Sequence, residues 1–162
     1  MLFSTGELLY ANGTFANWAG EVLAEMRHPR GTWRTLFLTT DDRVRLVRPD
    51  GDLVLRTVLP DGSTVRRVPV EDALEDPCGT VRRHRRGYTV EDSSGAPTGT
   101  IAVDGNTYVM SDAQQQAMGS GTERPDAWQI ELSPRISDTG ARLFLAFVMA
   151  MDEALHHPGD FG

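Results

Sequence analysis

The chain has 162 residues, 23 of them acidic against 16 basic, with a net charge of -7. That length suits one domain with a sizeable core, and the acidic balance argues against general nucleic-acid binding. The one cysteine, Cys78, excludes a disulfide framework and a cysteine-rich zinc site.

All 16 basic residues are arginine, a bias of GC-rich coding without functional content. The opening Met-Leu-Phe-Ser-Thr-Gly-Glu lacks the basic start and long apolar stretch of a secretory signal. A cytoplasmic location is therefore expected.

Met1–Tyr10 is mildly apolar and reads as a first strand or a tail. Phe15, Trp18, Val22, Leu23 and Met26 follow at helical spacing, with Thr14 as a cap, and predict a short amphipathic helix over Phe15–Arg27. His28-Pro29-Arg30-Gly31 would end it, so residues 1–31 are expected to form an N-terminal extension. From Thr32 the texture changes to short runs of β-formers. Thr32–Thr39, Arg43–Arg48, Leu53–Leu59 and Ser63–Val70 read as strands, separated by Asp41-Asp42, Pro49-Asp50-Gly51-Asp52 and Pro60-Asp61-Gly62.

Glu71–Gly79 is acidic and reads as a loop or a single helical turn. Thr80–Arg85 and Tyr88–Glu91 form a pair of strands hinged near Gly87, followed by the turn Asp92–Pro97. Gly99–Val103 and Asn106–Met110 are strands joined through Asp104-Gly105, a hairpin signal. Ser111–Asp126, with three Gln and Pro125, is expected to be a long exposed loop. Ala127–Ser133 shows the clearest alternation, Trp128, Ile130 and Leu132 against Gln129 and Glu131. A weak internal echo links the stretch from Val44 with that from Tyr88, since both read strand, Asp/Gly turn, strand.

Leu143–Met151 holds nine apolar residues in a row. At about 100° per residue they cover every direction around a helix, and a helix apolar all round is buried all round. A membrane span needs roughly 20 apolar residues, so this run predicts a core helix and no transmembrane span. Ser137 and Asp138 are candidate N-caps, His156 and His157 suit the last turn, and Pro158-Gly159 stops it. A central helix over residues 139–157 would be roughly 28 Å long.

About nine short strands with one apolar face each must cover something. The economical arrangement is a mainly β single domain spanning residues 1–162: an antiparallel β-barrel enclosing the hydrophobic C-terminal helix, with the short N-terminal helix outside. Closure also removes exposed sheet edges. Leu143, Phe144, Phe147, Val148 and Met151 are then expected to be buried.

Tyr88-Thr-Val-Glu-Asp-Ser-Ser-Gly with Gly99-Thr-Ile, then Trp128-Gln-Ile-Glu-Leu, then Leu143 through Asp152, carry a family likeness. Over roughly Thr32–His157 the chain resembles the tubby C-terminal-like superfamily, in particular its LURP-one-related and phospholipid-scramblase-like branch. That family pattern closes with an aromatic-x-apolar strand and a hydrophobic helix containing an acidic residue, here Asp152. The resemblance implies a barrel of twelve strands around the C-terminal helix, with Met1–Tyr10 and the long loops holding the strands not read above. Tubby-like domains bind phosphoinositides, scramblases act on membranes, and many bacterial members have no known role. A scramblase likeness would also imply a calcium segment near the last strand. Ser133–Asp138 offers one carboxylate where calcium takes 6–8 oxygens, so that property is not carried over.

Among candidate sites the run Arg82-Arg83-His84-Arg85-Arg86 stands out on an acidic chain. Arg82, Arg83, Arg85 and Arg86 are of the type that holds phosphate by bidentate contacts. Alternate strand residues face opposite ways, so convergence requires a turn. The alternative is a solvated hairpin tip paired with Glu71, Asp72, Glu75 and Asp76.

Asp152 and His156, four apart on one helix face with His157 and Asp160 near, raise a metal site but lack a third ligand at a diagnostic spacing. Cys78 reads as an ordinary small residue, Asp50, Asp52 and Asp61 as turn residues, and Trp18, Trp33 and Trp128 as core. His28 and His84 have no nucleophile arrangement around them. No catalytic constellation, metal site or cofactor is expected. The sequence therefore points to a non-catalytic binding module for anionic phospholipid or phosphoinositide headgroups, peripheral to the membrane. The alternative is a structural or regulatory domain acting through an unknown protein partner, by way of Phe15–Arg27 or the Ser111–Asp126 segment.

Overall fold

A computed structural model describes residues 2–28 and 43–156. Among these residues twelve antiparallel strands close into one barrel, and one helix runs through it. The strands are β1 (Glu7–Ala11), β2 (Thr14–Ala16), β3 (Val22–Arg27), β4 (Arg43–Val47), β5 (Leu53–Val58) and β6 (Arg67–Glu71). They continue as β7 (Pro77–His84), β8 (Gly87–Glu91), β9 (Pro97–Asp104), β10 (Thr107–Asp112), β11 (Ala117–Glu123) and β12 (Trp128–Leu132), and α1 is Asp138–His156. Each strand pairs with its chain neighbours, and β1 closes on β12 through Leu8↔Ile130 and Tyr10↔Trp128. The expected strand Thr32–Thr39 lies outside the described residues.

Phe15–Arg27 is not a helix. Its two halves are β2 and β3, joined by a turn at Asn17–Glu21, so they are barrel wall rather than an N-terminal extension. Two local signals outweigh the helical spacing. Asn12-Gly13 lies between β1 and β2 with both residues at positive φ, 51° and 79°, the demand of a type I′ hairpin. Asn17 then accepts the Ala19 and Glu21 amides at 3.0 and 2.9 Å, with Gly20 at positive φ.

The Asn17 turn recurs around the same end of the barrel. Asp72, Asp92 and Asp112 each begin a turn in which the carboxylate accepts the amides two and four residues on, at 2.9–3.1 Å. In each, the fourth residue sits at positive φ, and the strand register shifts just beside the turn. This is a type I turn followed by a left-handed residue, the geometry of a bulged hairpin. Arg48–Asp52 has the same backbone bonds. The sequence echo is thus a repeated turn. It also corrects the Ser111–Asp126 segment, which is the Asp112–Gln116 turn followed by β11 rather than a long loop.

Strand residues of the inward phase, among them Leu8, Val68, Val81, Ile101 and Ile130, are buried against α1. Ser137 caps the helix by accepting the Gly140 amide at 2.9 Å. Leu143 through Ala150 are each at most 2% exposed, as an all-round apolar helix requires. Met151 departs from expectation: it is half-buried, and its sulfur receives the Tyr88 hydroxyl at 3.6 Å. On β11 two inward positions are glycine. A Cβ at Gly121 would stand 3.4 Å from Phe144, so the missing side chains are what admit that ring. Where β5 and β6 share only the pairs Arg56↔Glu71 and Thr57↔Val70, Arg142 of the helix donates to the Val54 carbonyl at 2.7 Å.

Candidate functional site

The arginine run occupies the β7–β8 hairpin at the end of the barrel where α1 finishes. Strand alternation divides it. Arg82 faces outward, opposite Arg67 in register, and its guanidinium lies 3.3 Å from Glu91. Arg83 continues the inward phase of Gly79 and Val81 but projects past the buried wall, opposite Tyr88. Its backbone amide donates to the Arg66 carbonyl at 2.8 Å, which brings Arg66 alongside. Arg66, Arg83, His84 and Arg85 together line an open depression of about 560 Å³, and Arg86 stands exposed at the hairpin tip.

The expected acidic partners lie elsewhere. Glu71 pairs with Arg43 at 2.7 Å and with Arg56, while Glu75 lies 3.8 Å from Arg45 and 3.5 Å from Arg56. Among the described residues no carboxylate stands within ion-pair distance of Arg66, Arg83, Arg85 or Arg86. Arg66 was absent from the sequence-derived set because only the pairing of β6 with β7 places it there. A visible cue existed in Arg66-Arg67, the one arginine doublet outside the Arg82–Arg86 run.

Asp152 and His156 do meet. His156 Nδ1 is 2.9 Å from the Asp152 carbonyl oxygen and 3.0 Å from its carboxylate, and Trp128 Nε1 donates to that carboxylate at 3.1 Å. The hydrogen bond to the Asp152 carbonyl, then the carboxylate charge, raises the His156 pKa. The aromatic strand residue and the acidic helix residue that carried the family likeness are thus bonded to each other. Among the described residues no three His, Cys, Asp or Glu side chains are grouped as a metal set.

Cys78 is half-buried, and burial, then the charge of Asp72, pushes its thiol up to about 11, so it is no thiolate near neutrality. Asp50 serves its own turn, accepting the Asp52 amide at 2.8 Å. The Asp92 carboxyl is held below its usual range by the Ser94 hydroxyl, then by the Ala96 amide. Trp128 is core, but Trp18 is not: it is 58% exposed at a turn tip, and Leu74 is 80% exposed on another turn at that end. Trp33 lies outside the described residues.

No protein-family model matches the sequence, and no curated protein is significantly similar to it. In three dimensions the chain is similar to the X-ray structure of protein AT5G01750 from Arabidopsis thaliana. The TM-score is 0.66 at 13% identity, over 92% of this chain and 90% of that one. At that identity the likeness concerns the fold. A closed barrel of twelve antiparallel strands around a C-terminal helix fits the tubby-like architecture. Among the described residues no helix is long and apolar enough to cross a membrane.

Proposed function

We propose that this chain is a non-catalytic binding module of the LURP-one-related branch, recognising phosphate-bearing anionic headgroups at the cytoplasmic membrane surface. One observation carries the reading. Arg66, Arg83, Arg85 and Arg86 gather at one hairpin with no carboxylate within ion-pair distance among the described residues, whereas their neighbour Arg82 is paired with Glu91. Like charges placed side by side weaken a sheet, and Arg66, held alongside Arg83 by its carbonyl, is such a placement. A phosphate seated between the guanidinium groups would relieve that repulsion and use their fork geometry.

Co-sedimentation with vesicles containing phosphatidylserine or a phosphoinositide tests the reading. Binding is expected to fall steeply with ionic strength, because exposed charges are screened over about 8 Å at physiological salt. Arg83→Ala with Arg85→Ala is expected to weaken it while leaving the Tm nearly unchanged, since exposed charges add little stability. A soluble inositol phosphate that competes at its own high affinity would identify a free anion as the ligand. If the wild type never sediments, or the double variant sediments as well as the wild type, the headgroup reading falls. The exposed Trp18 and Leu74 favour a second reading, a protein-interaction domain using the opposite end. Partner capture lost in Trp18→Ser, without vesicle binding, would support it.

A further inference from the structure

The barrel wall is thinnest between β5 and β6. Among the described residues these strands meet only at Arg56↔Glu71 and Thr57↔Val70, whereas every other pair of neighbours shares at least three register positions. Pro69, beside Val70 on β6, brings no amide proton to a ladder. Its carbonyl is reached instead by the Thr57 hydroxyl at 2.8 Å. Thr57 is 1% exposed and is the one polar residue buried among the described residues. Further along, where β5 has no β6 partner, the Val54 carbonyl accepts from Arg142 of α1 at 2.7 Å. From within, side chains hold the seam where the backbone ladder stops.

Outside, the seam is held by charge. Glu71 of β6 is bonded to Arg56 of β5 and pairs with Arg43 of β4 at 2.7 Å. Glu75, in the turn after β6, lies 3.5 Å from Arg56 and 3.8 Å from Arg45 of β4. Each of these pairs spans the seam. The arginines stand on the β4–β5 lip, and the carboxylates on the β6 lip. Both lips are firm, since β4 shares five register positions with β5, and β6 shares five with β7. A fluctuation that parts the wall therefore breaks fewer backbone bonds at β5–β6 than elsewhere, the condition for local opening below the cost of global unfolding.

We propose that the barrel opens along the β5–β6 seam, and that the arginine–glutamate clasp sets how readily it does so. Opening uncovers the flank of α1 behind Arg142. Salt screens partly exposed ion pairs, whereas ladder bonds between uncharged groups are not weakened in this way, so the clasp makes opening respond to ionic strength. The device uses none of Arg66, Arg83, Arg85 and Arg86, so it stands or falls separately from headgroup binding.

The test is amide hydrogen exchange on the ¹⁵N-labelled full chain, read by NMR at about 0.01 M and about 1 M salt, where the screening length falls from about 30 Å to about 3 Å. Amides bonded across β5–β6 are expected to exchange at least tenfold faster than amides bonded across β9–β10, which share six register positions. High salt is expected to widen that ratio. Glu71→Gln removes the charge at the centre of the clasp and keeps its shape. At low salt it is expected to speed exchange at the seam at least tenfold, with β9–β10 unchanged. Seam amides as slow as those of β9–β10, or a ratio indifferent to salt, would overturn the proposal. So would Glu71→Gln speeding both places equally, the mark of a general loss of stability. If Glu71→Gln does not fold, the wild-type salt series decides by itself.

Discussion

Phe147→Ala is the sharpest test of the packing at the centre of this barrel. Phe147 is 0% exposed, and its ring centroid lies 4.7 Å from that of Tyr88, 5.7 Å from Tyr108 and 6.3 Å from Phe144. These rings come from two strands and from the helix itself. Truncating Phe147 removes the ring all three share and leaves a hole that a closed hydrogen-bonded wall is poorly able to fill. The cost is expected to be about 3–5 kcal/mol, the range for a core Phe. Total stability for a domain is about 5–15 kcal/mol, so a large share is lost. At about 2–4 °C per kcal/mol for this chain length, the Tm is expected to fall by about 6–20 °C. Calorimetry gives the Tm, and urea unfolding gives the midpoint, which should drop with the slope unchanged. Met151→Ala, at a half-buried position, is expected to cost less. A Tm decrease under about 3 °C for Phe147→Ala, near one kcal/mol, would mean that the barrel does not close on the helix in this way.

Three further substitutions probe particular elements. Gln115 holds the left-handed position of its turn at φ 64°, where the equivalent residue of the next turn back is Gly95 at 88°. Gln115→Gly is expected to stabilise the protein by about 0.5–1 kcal/mol in urea unfolding, since a side chain is strained there, and Gly95→Gln to do the reverse. His156 has a raised pKa from the Asp152 carbonyl and carboxylate. Its contribution to stability is therefore fully present below the unfolded-state value of about 6.5 and is lost as the pH rises through the higher folded-state value. The Tm difference between wild type and His156→Asn should shrink over that window. The side chain is 59% exposed, so the effect is screened and small; a difference that grows with pH would contradict the pairing.

The sequence by itself determined the helix and most of the wall. Nine consecutive apolar residues leave a helix no face for solvent, and Trp128-Gln-Ile-Glu-Leu alternates cleanly because one face of that strand is buried and the other is wet. Phe15–Arg27 misleads because five apolar residues at helical spacing also fit two short strands, and there Asn12-Gly13 and Asn17 were the deciding signals. β11 shows no alternation because two of its inward positions, Gly119 and Gly121, carry no side chain; their emptiness makes sense only against Phe144 from a distant segment.

The candidate sites followed the same division. The charge of Arg82–Arg86 is local and visible along the chain. That Arg82 turns away to Glu91 while Arg66 joins Arg83 depends on strand phase and on the pairing of β6 with β7. Only tertiary structure sets Glu71 and Glu75 across a seam from Arg43, Arg45 and Arg56. Local pattern records what each residue prefers to bury, whereas barrel closure decides which buried and charged groups become neighbours.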